Sequence, residues 1–431
     1  MTARRMWATL PMILLWLMCL PLIAQNPFNF GHLDYRNGLS HNNVQCFAED
    51  NNGFLWIGTR SGLNRYDGYS FKIFRHDPDD STTIPSNVVQ SLVKDQLGRF
   101  WIQVPSYLCV FNPENETFTN SFNIVASQRT FQNFVLDMAV PFADSLLFLR
   151  VQNEGFIRHN VITNKSTFLS RDKSSDYVVL PNNISHISVG ASNVFVTYDN
   201  GVIDQIDPYS LVLKQRITGI YDQLKLSGKV FETFVDRDQQ LWVYCNDEAA
   251  GLFKVETNGR LTHLSTESKP ALNSNIVSCM VQAPGDLLWI GTDHGGINLL
   301  NIKENTIHYI TNDPYNENSL CQNVITELFV GNDSVIWIGT FKQGANFFHE
   351  DIYRFWHYVN FPNNDKTLPY NDVNCFAEEQ NGNIWIGTNG HGLICFDRHN
   401  NTFRTIRAQP GKAGALQSDV IVSLFADRSN N

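Results

Sequence analysis

Charge is scarce in this chain. Only 17% of its 431 residues are charged, and acids outnumber bases by 42 to 32. An acidic balance argues against nucleic acid and other polyanions as generic partners. Cysteine is sparse too: there are eight, with no Cys-x-x-Cys pair, and Cys46, Cys279 and Cys375 fall in similar apolar contexts ("VQCFAED", "VSCMVQA", "VNCFAEE") that read as small buried hydrophobes. There is no Asp-x-Asp-x-Asp-Gly loop for calcium, and no His-x-x-x-His pair accompanies His294 or His391. No metal or cofactor is therefore expected. After Ala24 no apolar run is long enough to cross a bilayer.

The N-terminus is different. Residues 1–24 carry Arg4 and Arg5 ahead of an apolar run that ends Leu22-Ile23-Ala24, which reads as a secretory signal peptide, with an uncleaved membrane anchor as the alternative. Its removal leaves 30 basic against 42 acidic residues, and seven cysteines, an odd number that cannot form a complete intramolecular disulfide set. The expected compartment is the periplasm.

What the chain has in plenty is one repeated sentence. "GFLWIGTRSGLNRYDG" around Trp56 returns as "DLLWIGTDHGGINLLNI" at Trp289, "SVIWIGTFKQGANFFHE" at Trp337 and "NIWIGTNGHGLICFDR" at Trp385. Looser copies lie at Trp101 and Trp242, and Phe148 and Phe195 replace the Trp in two more, so successive anchors are separated by 45, 47, 47, 47, 47, 48 and 48 residues. A fixed period of this size marks a repeat architecture, and a motif copied eight times is a building block rather than a site.

Turn chemistry divides one unit into four short strands: 43–50, 54–59, 63–67 and 71–77, separated by Asn-Asn-Gly, Arg-Ser-Gly and Gly-Tyr-Ser. "LWIGT" is apolar without alternation, as a strand covered on both faces can be. Radial stacking of four-stranded sheets provides that cover, so the fold class is all-β, a β-propeller of about seven antiparallel four-stranded blades plus the start of a second. In such a meander the second-to-third turn shares one face with the links between blades, and the other two turns occupy the opposite face. On the second face recur Glu49-Asp50, Asp95, Asp236, Glu379 and Asp427, which read as turn caps rather than as a carboxylate pair for glycoside hydrolysis. The Gly of Ile-Gly-Thr reads as a point of close sheet approach.

Residues that vary between copies on the first face are the ligand candidates: Arg60, Asp293, His294, Phe341, Lys342, Asn389 and His391, with Tyr315 and Trp356 on the links as aromatic platforms. No residue is expected to be catalytic.

"FAEDNNGFLWIGTRSGLNRYDGYSFKIF" and its copies resemble the two-component regulator propeller repeats, over essentially the whole chain after the signal, and "NGLSHNNVQCFAED" resembles the usual start of such sensors. The resemblance implies the extracytoplasmic sensor of a Bacteroidetes hybrid two-component system, in which oligosaccharide binding controls a polysaccharide-utilisation locus. It implies two seven-bladed propellers, which divides the chain into a signal (1–24), a first propeller (25–350) and the opening of a second (351–431). The next anchor would fall at about 432 or 433, so a truncated sensor is expected, with any kinase encoded elsewhere and no enzyme activity in these residues. A propeller lyase or glycosidase, or a propeller used for protein contacts including homodimerisation, are the alternatives. Either "FNFGHLD" (28–34) or "RFWHYVN" (354–360) is available to close the ring.

Overall fold

The computed structural model describes residues 28–105, 107–120, 135–143, 145–170, 179–181, 183–220, 230–245, 250–256, 259–285, 287–349, 358, 360 and 367–427. The expected signal peptide, residues 1–24, and Trp356 lie outside them. Each repeat is one antiparallel sheet of four strands, and eight such sheets are present among the described residues. Blade 1 runs Val44–Glu49, Leu55–Thr59, Gly62–Tyr66 and Phe71–Phe74, within a few residues of the boundaries that turn chemistry sets. The Phe-anchored units at 148 and 195 are complete blades, so the aromatic that fills the blade core need not be Trp.

The chain forms two compact units, residues 1–349 and 350–431. In the first, blades 1 to 6 occupy 44–74, 91–120, 136–170, 184–217, 231–264 and 277–310. Blade 7 takes its three inner strands from Ile325–Val330, Ile336–Thr340 and Ala345–Phe348. Its outer strand is Gly31–Leu33, paired antiparallel with Ala345–Phe347. The ring is therefore closed by the segment 28–34. Phe30, 1% exposed, and Phe28 pack on Phe348 at 5.7 and 5.0 Å between ring centroids. Tyr358 packs instead on Phe396 and Phe403 of the second unit.

Neighbouring blades are stapled at the inner strands by side chains that reach the next blade's backbone. Ser185 Oγ donates to Phe231 O (2.9 Å), Ser278 Oγ to Ile325 O (2.7 Å) and Thr326 Oγ1 to Val44 O (2.6 Å), the last across the closure. Ser185, Ser278 and Thr326 each sit at a register shift of the inner strand, which turns an additional side chain toward the neighbour. A Cβ on Gly58 would lie 2.7 Å from Val89 of blade 2, and one on Gly291 2.8 Å from Ile325 of blade 7, which is why Ile-Gly-Thr needs its glycine.

The recurring acidic turn residue does two jobs. One carboxylate oxygen accepts backbone N–H groups of the turn, as Asp50 Oδ1 does from Asn52 and Phe54. The other accepts the indole N–H of the buried anchor six residues on: Asp50 from Trp56 (2.8 Å), Asp95 from Trp101 (2.9 Å), Asp236 from Trp242 (2.9 Å) and Glu379 from Trp385 (2.5 Å). These side chains are structural, as expected of turn caps. Blade 6 has Ala283 at that position, and Trp289 Nε1 is buried without a hydrogen-bond partner among the described residues.

Where the inner strands of blades 5, 6 and 7 meet, Glu232, Cys279 and Glu327 influence one another, and Tyr244 donates its hydroxyl to Glu232 (3.0 Å). Burial, then the charge of Glu232, pushes the Glu327 carboxyl up to about 8.

Asp50→Ala strands the Trp56 indole and two turn amides and should cost roughly 2–3 kcal/mol, whereas Ala283→Asp supplies the missing acceptor and should stabilise by about 1 kcal/mol; urea midpoints at constant m-value check both. Because the folded-state pKa of Glu327 lies above its unfolded value, its contribution is favourable at low pH and is lost as pH rises from the ordinary carboxylate range through about 8. The Glu327→Gln variant should therefore lose part of the decline in stability between about pH 5 and 8 that thermal melts of the unmodified chain show.

Candidate ligand face

The Thr of Ile-Gly-Thr fixes the turns from which the candidate side chains project. Thr59, Thr292, Thr340 and Thr388 are fully buried, and each Oγ1 donates across its turn, to Gly62, Gly296, Gly344 and Gly392 O at 2.7–2.9 Å. The next residue donates its backbone N–H to the preceding link or strand entry: Arg60 to Asn43 O, Asp293 to Ile276 O, Phe341 to Val324 O and Asn389 to Asp372 O. The turn backbone is held at both ends in all four blades, with the turn of blade 1 one residue shorter than the others.

Links and turns share this face, as hydrogen bonds between them show: Gly62 N donates to Asn87 O, and Arg75 Nε to Ser61 O. Five links are braced by one amide or carboxylate oxygen that accepts a backbone N–H eleven or nine residues earlier. Asn87 serves His76, Asn275 serves Thr266, Asn323 serves Asn312, and in the second unit Asn371 serves Asn360 and Asp419 serves Ala408. These asparagines recur in the sequence at the entry to the inner strand, and their spacing was the signal that could have identified them as structural.

In the first unit the candidates fall on three consecutive blades, 6, 7 and 1. His294, in the left-handed region at φ 68°, points Nδ1 at Asp293 Oδ1 (2.7 Å), which leaves Nε2 as an acceptor. Lys342 lies 5.2 Å from the centroid of the Phe341 ring, which is itself 37% exposed. Arg60 is exposed and its guanidinium makes no hydrogen bond or ion pair among the described residues. Tyr315 stands at the tip of the link from blade 6 to blade 7, 72% exposed, with its backbone N–H donated to Asp313.

The second unit has one blade, 373–406, and a following segment that bonds back to it through Ile421 N and Thr388 O. Here the candidates have internal partners. Asn389 Nδ2 donates to Asp372 Oδ2 (3.0 Å), and the His391 ring stacks on Tyr370 at 5.0 Å and 7°. Burial, with the charge of Arg407, lowers the His391 pKa. Tyr370 and Asp372 are the residues that sequence reading missed, and nothing in their spacing distinguishes them from other link residues.

The arc on blades 6, 7 and 1 offers two cations, a carboxylate–imidazole pair and an aromatic face, all on fixed turns. This set can hydrogen-bond and stack, and it holds no Ser, Thr or Cys nucleophile paired with a base. No cluster that could hold a metal occurs among the described residues, and none of their helices is long and apolar enough to cross a membrane.

Comparison with known proteins matches residues 38–61 and 367–390 to the two component regulator propeller model. A stretch of 73 residues, 17% of this chain, is 45% identical to 5% of histidine kinase P4 of Formosa agariphila. Among solved structures, the extracellular domain of the hybrid two component system BT3049 of B. thetaiotaomicron superposes over 94% of this chain with a TM-score of 0.66 at 20% identity; the chain spans 52% of its length. A virginiamycin B lyase of Staphylococcus aureus shares the fold over 74% of this chain and 99% of its own, with a TM-score of 0.53 at 13% identity. Every described strand belongs to a propeller blade and none to a kinase domain. The chain thus carries two component regulator propeller repeats at residues 38–61 and 367–390.

Proposed function

We propose that this chain is the extracytoplasmic ligand-sensing propeller of a two-component system and that it takes an oligosaccharide on the face that carries the links. The observation behind this reading is the difference between the two faces. On one, the repeated carboxylates are consumed by turn amides and indoles, so an acid–base pair for a lyase or glycosidase is not at hand. On the other, Arg60, the Asp293–His294 pair and Phe341–Lys342 project from neighbouring blades with hydrogen-bonding capacity left over. Donors, acceptors and an aromatic face in one arc suit a hydroxyl-rich ligand with apolar C–H faces. The family's description and the kinase relative support a role in signalling, in which the bound state of the propeller sets the activity of a histidine kinase and so a polysaccharide-utilisation locus. Export to the periplasm fits the charged, apolar leader.

Calorimetry with a panel of polysaccharide-derived oligosaccharides tests the reading. One glycan should bind, and the double variant Arg60→Ala, Lys342→Ala should weaken it about tenfold or more. Absence of heat with every glycan, on protein whose circular dichroism and melting are normal, would overturn it.

A further inference from the structure

Blade 2 lacks a tie that three other blades share. In blades 1, 6 and 7 a fully buried Asn on the third strand ties down the preceding link: Asn64 Oδ1 accepts from Ser40 N (2.9 Å), Asn298 from Asn273 N (3.0 Å) and Asn346 from Cys321 N (2.9 Å). Blades 1 and 2 share a register, Ile57↔Asn64 and Thr59↔Gly62 in one, Ile102↔Cys109 and Val104↔Tyr107 in the other. Cys109 therefore takes the position of that Asn in blade 2, as Ile157, Asp204 and Phe253 do in blades 3, 4 and 5. The link residue that should donate, two before the bracing Asn87, is Pro85, which has no N–H. Tyr107 occupies a position that is Gly62, Gly296 and Gly344 in blades 1, 6 and 7, where a Cβ would run into the carbonyl of the fourth strand or its pairing partner. Donor, acceptor and glycine are all replaced, and the three replacements line a cavity of about 390 Å³ on the face that carries the links.

The walls of the cavity differ in chemistry. One is aromatic: Tyr107, 36% exposed, and Phe118, which is held by Phe111 at 4.5 Å between centroids. The other is the link, braced from within by Thr83, whose Oγ1 accepts from Asp77 N (3.0 Å) and donates to Asp80 O (2.8 Å). His76 Nδ1 lies 2.9 Å from Ile84 O, which can only accept, so the proton is on Nδ1 and Nε2 is an acceptor. Asp77 and Asp80 each use Oδ1 within the link, for Asp79 N and for Thr82, and their Oδ2 atoms take no hydrogen bond among the described residues. No Lys or Arg lines the cavity.

We propose that this cavity is a binding subsite for a neutral sugar, with a ring face on Tyr107 and hydroxyls donated to Asp77, Asp80 and His76. An acceptor-rich wall beside an aromatic one fits a ligand that donates hydrogen bonds and has an apolar face; the lack of a cation disfavours uronate or sulfated sugars. The identity of the ligand rests on the oligosaccharide reading above, whereas the place of the subsite rests on the cavity that Pro85, Tyr107 and Cys109 line together.

The test is calorimetry of the chain with neutral hexasaccharides of β-glucan and α-mannan, and with oligogalacturonate and chondroitin sulfate oligosaccharides. A neutral oligosaccharide should bind, Tyr107→Ala should weaken it about tenfold or more, and Tyr107→Phe should bind as the unmodified chain does. The double variant Pro85→Ser, Cys109→Asn rebuilds the tie present in three other blades, so it should fold and lose binding as well. A glycan that binds Tyr107→Ala and the double variant with unchanged affinity overturns the subsite while the sensor reading stands. Binding of the acidic oligosaccharides alone overturns the ligand class. No binding by any glycan overturns this proposal and the sensor reading together.

Discussion

Three residues, Gly31–Leu33, hold the ring shut. Strands such as Leu55–Thr59 are buried along their whole length and tolerate no exposed face, so each blade depends on a neighbour on either side. The pairing of Gly31–Leu33 with Ala345–Phe347 ties the segment that leads into blade 1 to blade 7. With it, Phe47 of blade 1 comes within 6.5 Å of Phe329 and 6.3 Å of Trp337, and Thr326 bonds to Val44. The corresponding residue of the second unit, Phe376, shows what the same position looks like without that cover: it is 65% exposed, against 5% for Phe47.

Within a closed ring the two faces divide the work. On the face of the acidic turns, carboxylates are spent on indoles and amides, and neighbouring turns bond to one another, as Glu49 does with Asn332 and Arg237 with Ala283. On the opposite face, Thr and Asn side chains that no ligand would touch fix the backbone, and the residues between them are free to vary. A rigid frame with variable tips is a general solution for recognition, because little entropy is lost when the tips engage.

Much of this was legible in the sequence. The period of 47 or 48 residues, the Trp anchors and the Gly-marked turns gave blade number and strand order, because each blade must solve the same packing problem with the same residues. The closing strand was not legible: three residues carry no period, and 354–360 offered an equal apolar run. Nor was the bond from the acidic turn to the Trp six residues later, which is missing where Ala283 precedes Trp289. Of the ligand candidates, Asn389 and His391 looked as variable as Arg60, but contacts with Asp372 and Tyr370 engage them internally. The cavity of blade 2 depends on Pro85, Tyr107 and Cys109 together. Each is unremarkable alone, and their common meaning appears only once the Asn tie of the other blades is seen.

The central claim is that ligand meets the face of links and second-to-third turns. Hydrogen exchange of the chain with and without a saturating neutral oligosaccharide tests it most directly. The account predicts slowed exchange in 59–62, 76–87, 292–296 and 340–344, with 50–54, 95–99 and 236–240 unchanged. Protection confined to the acidic turns would contradict it.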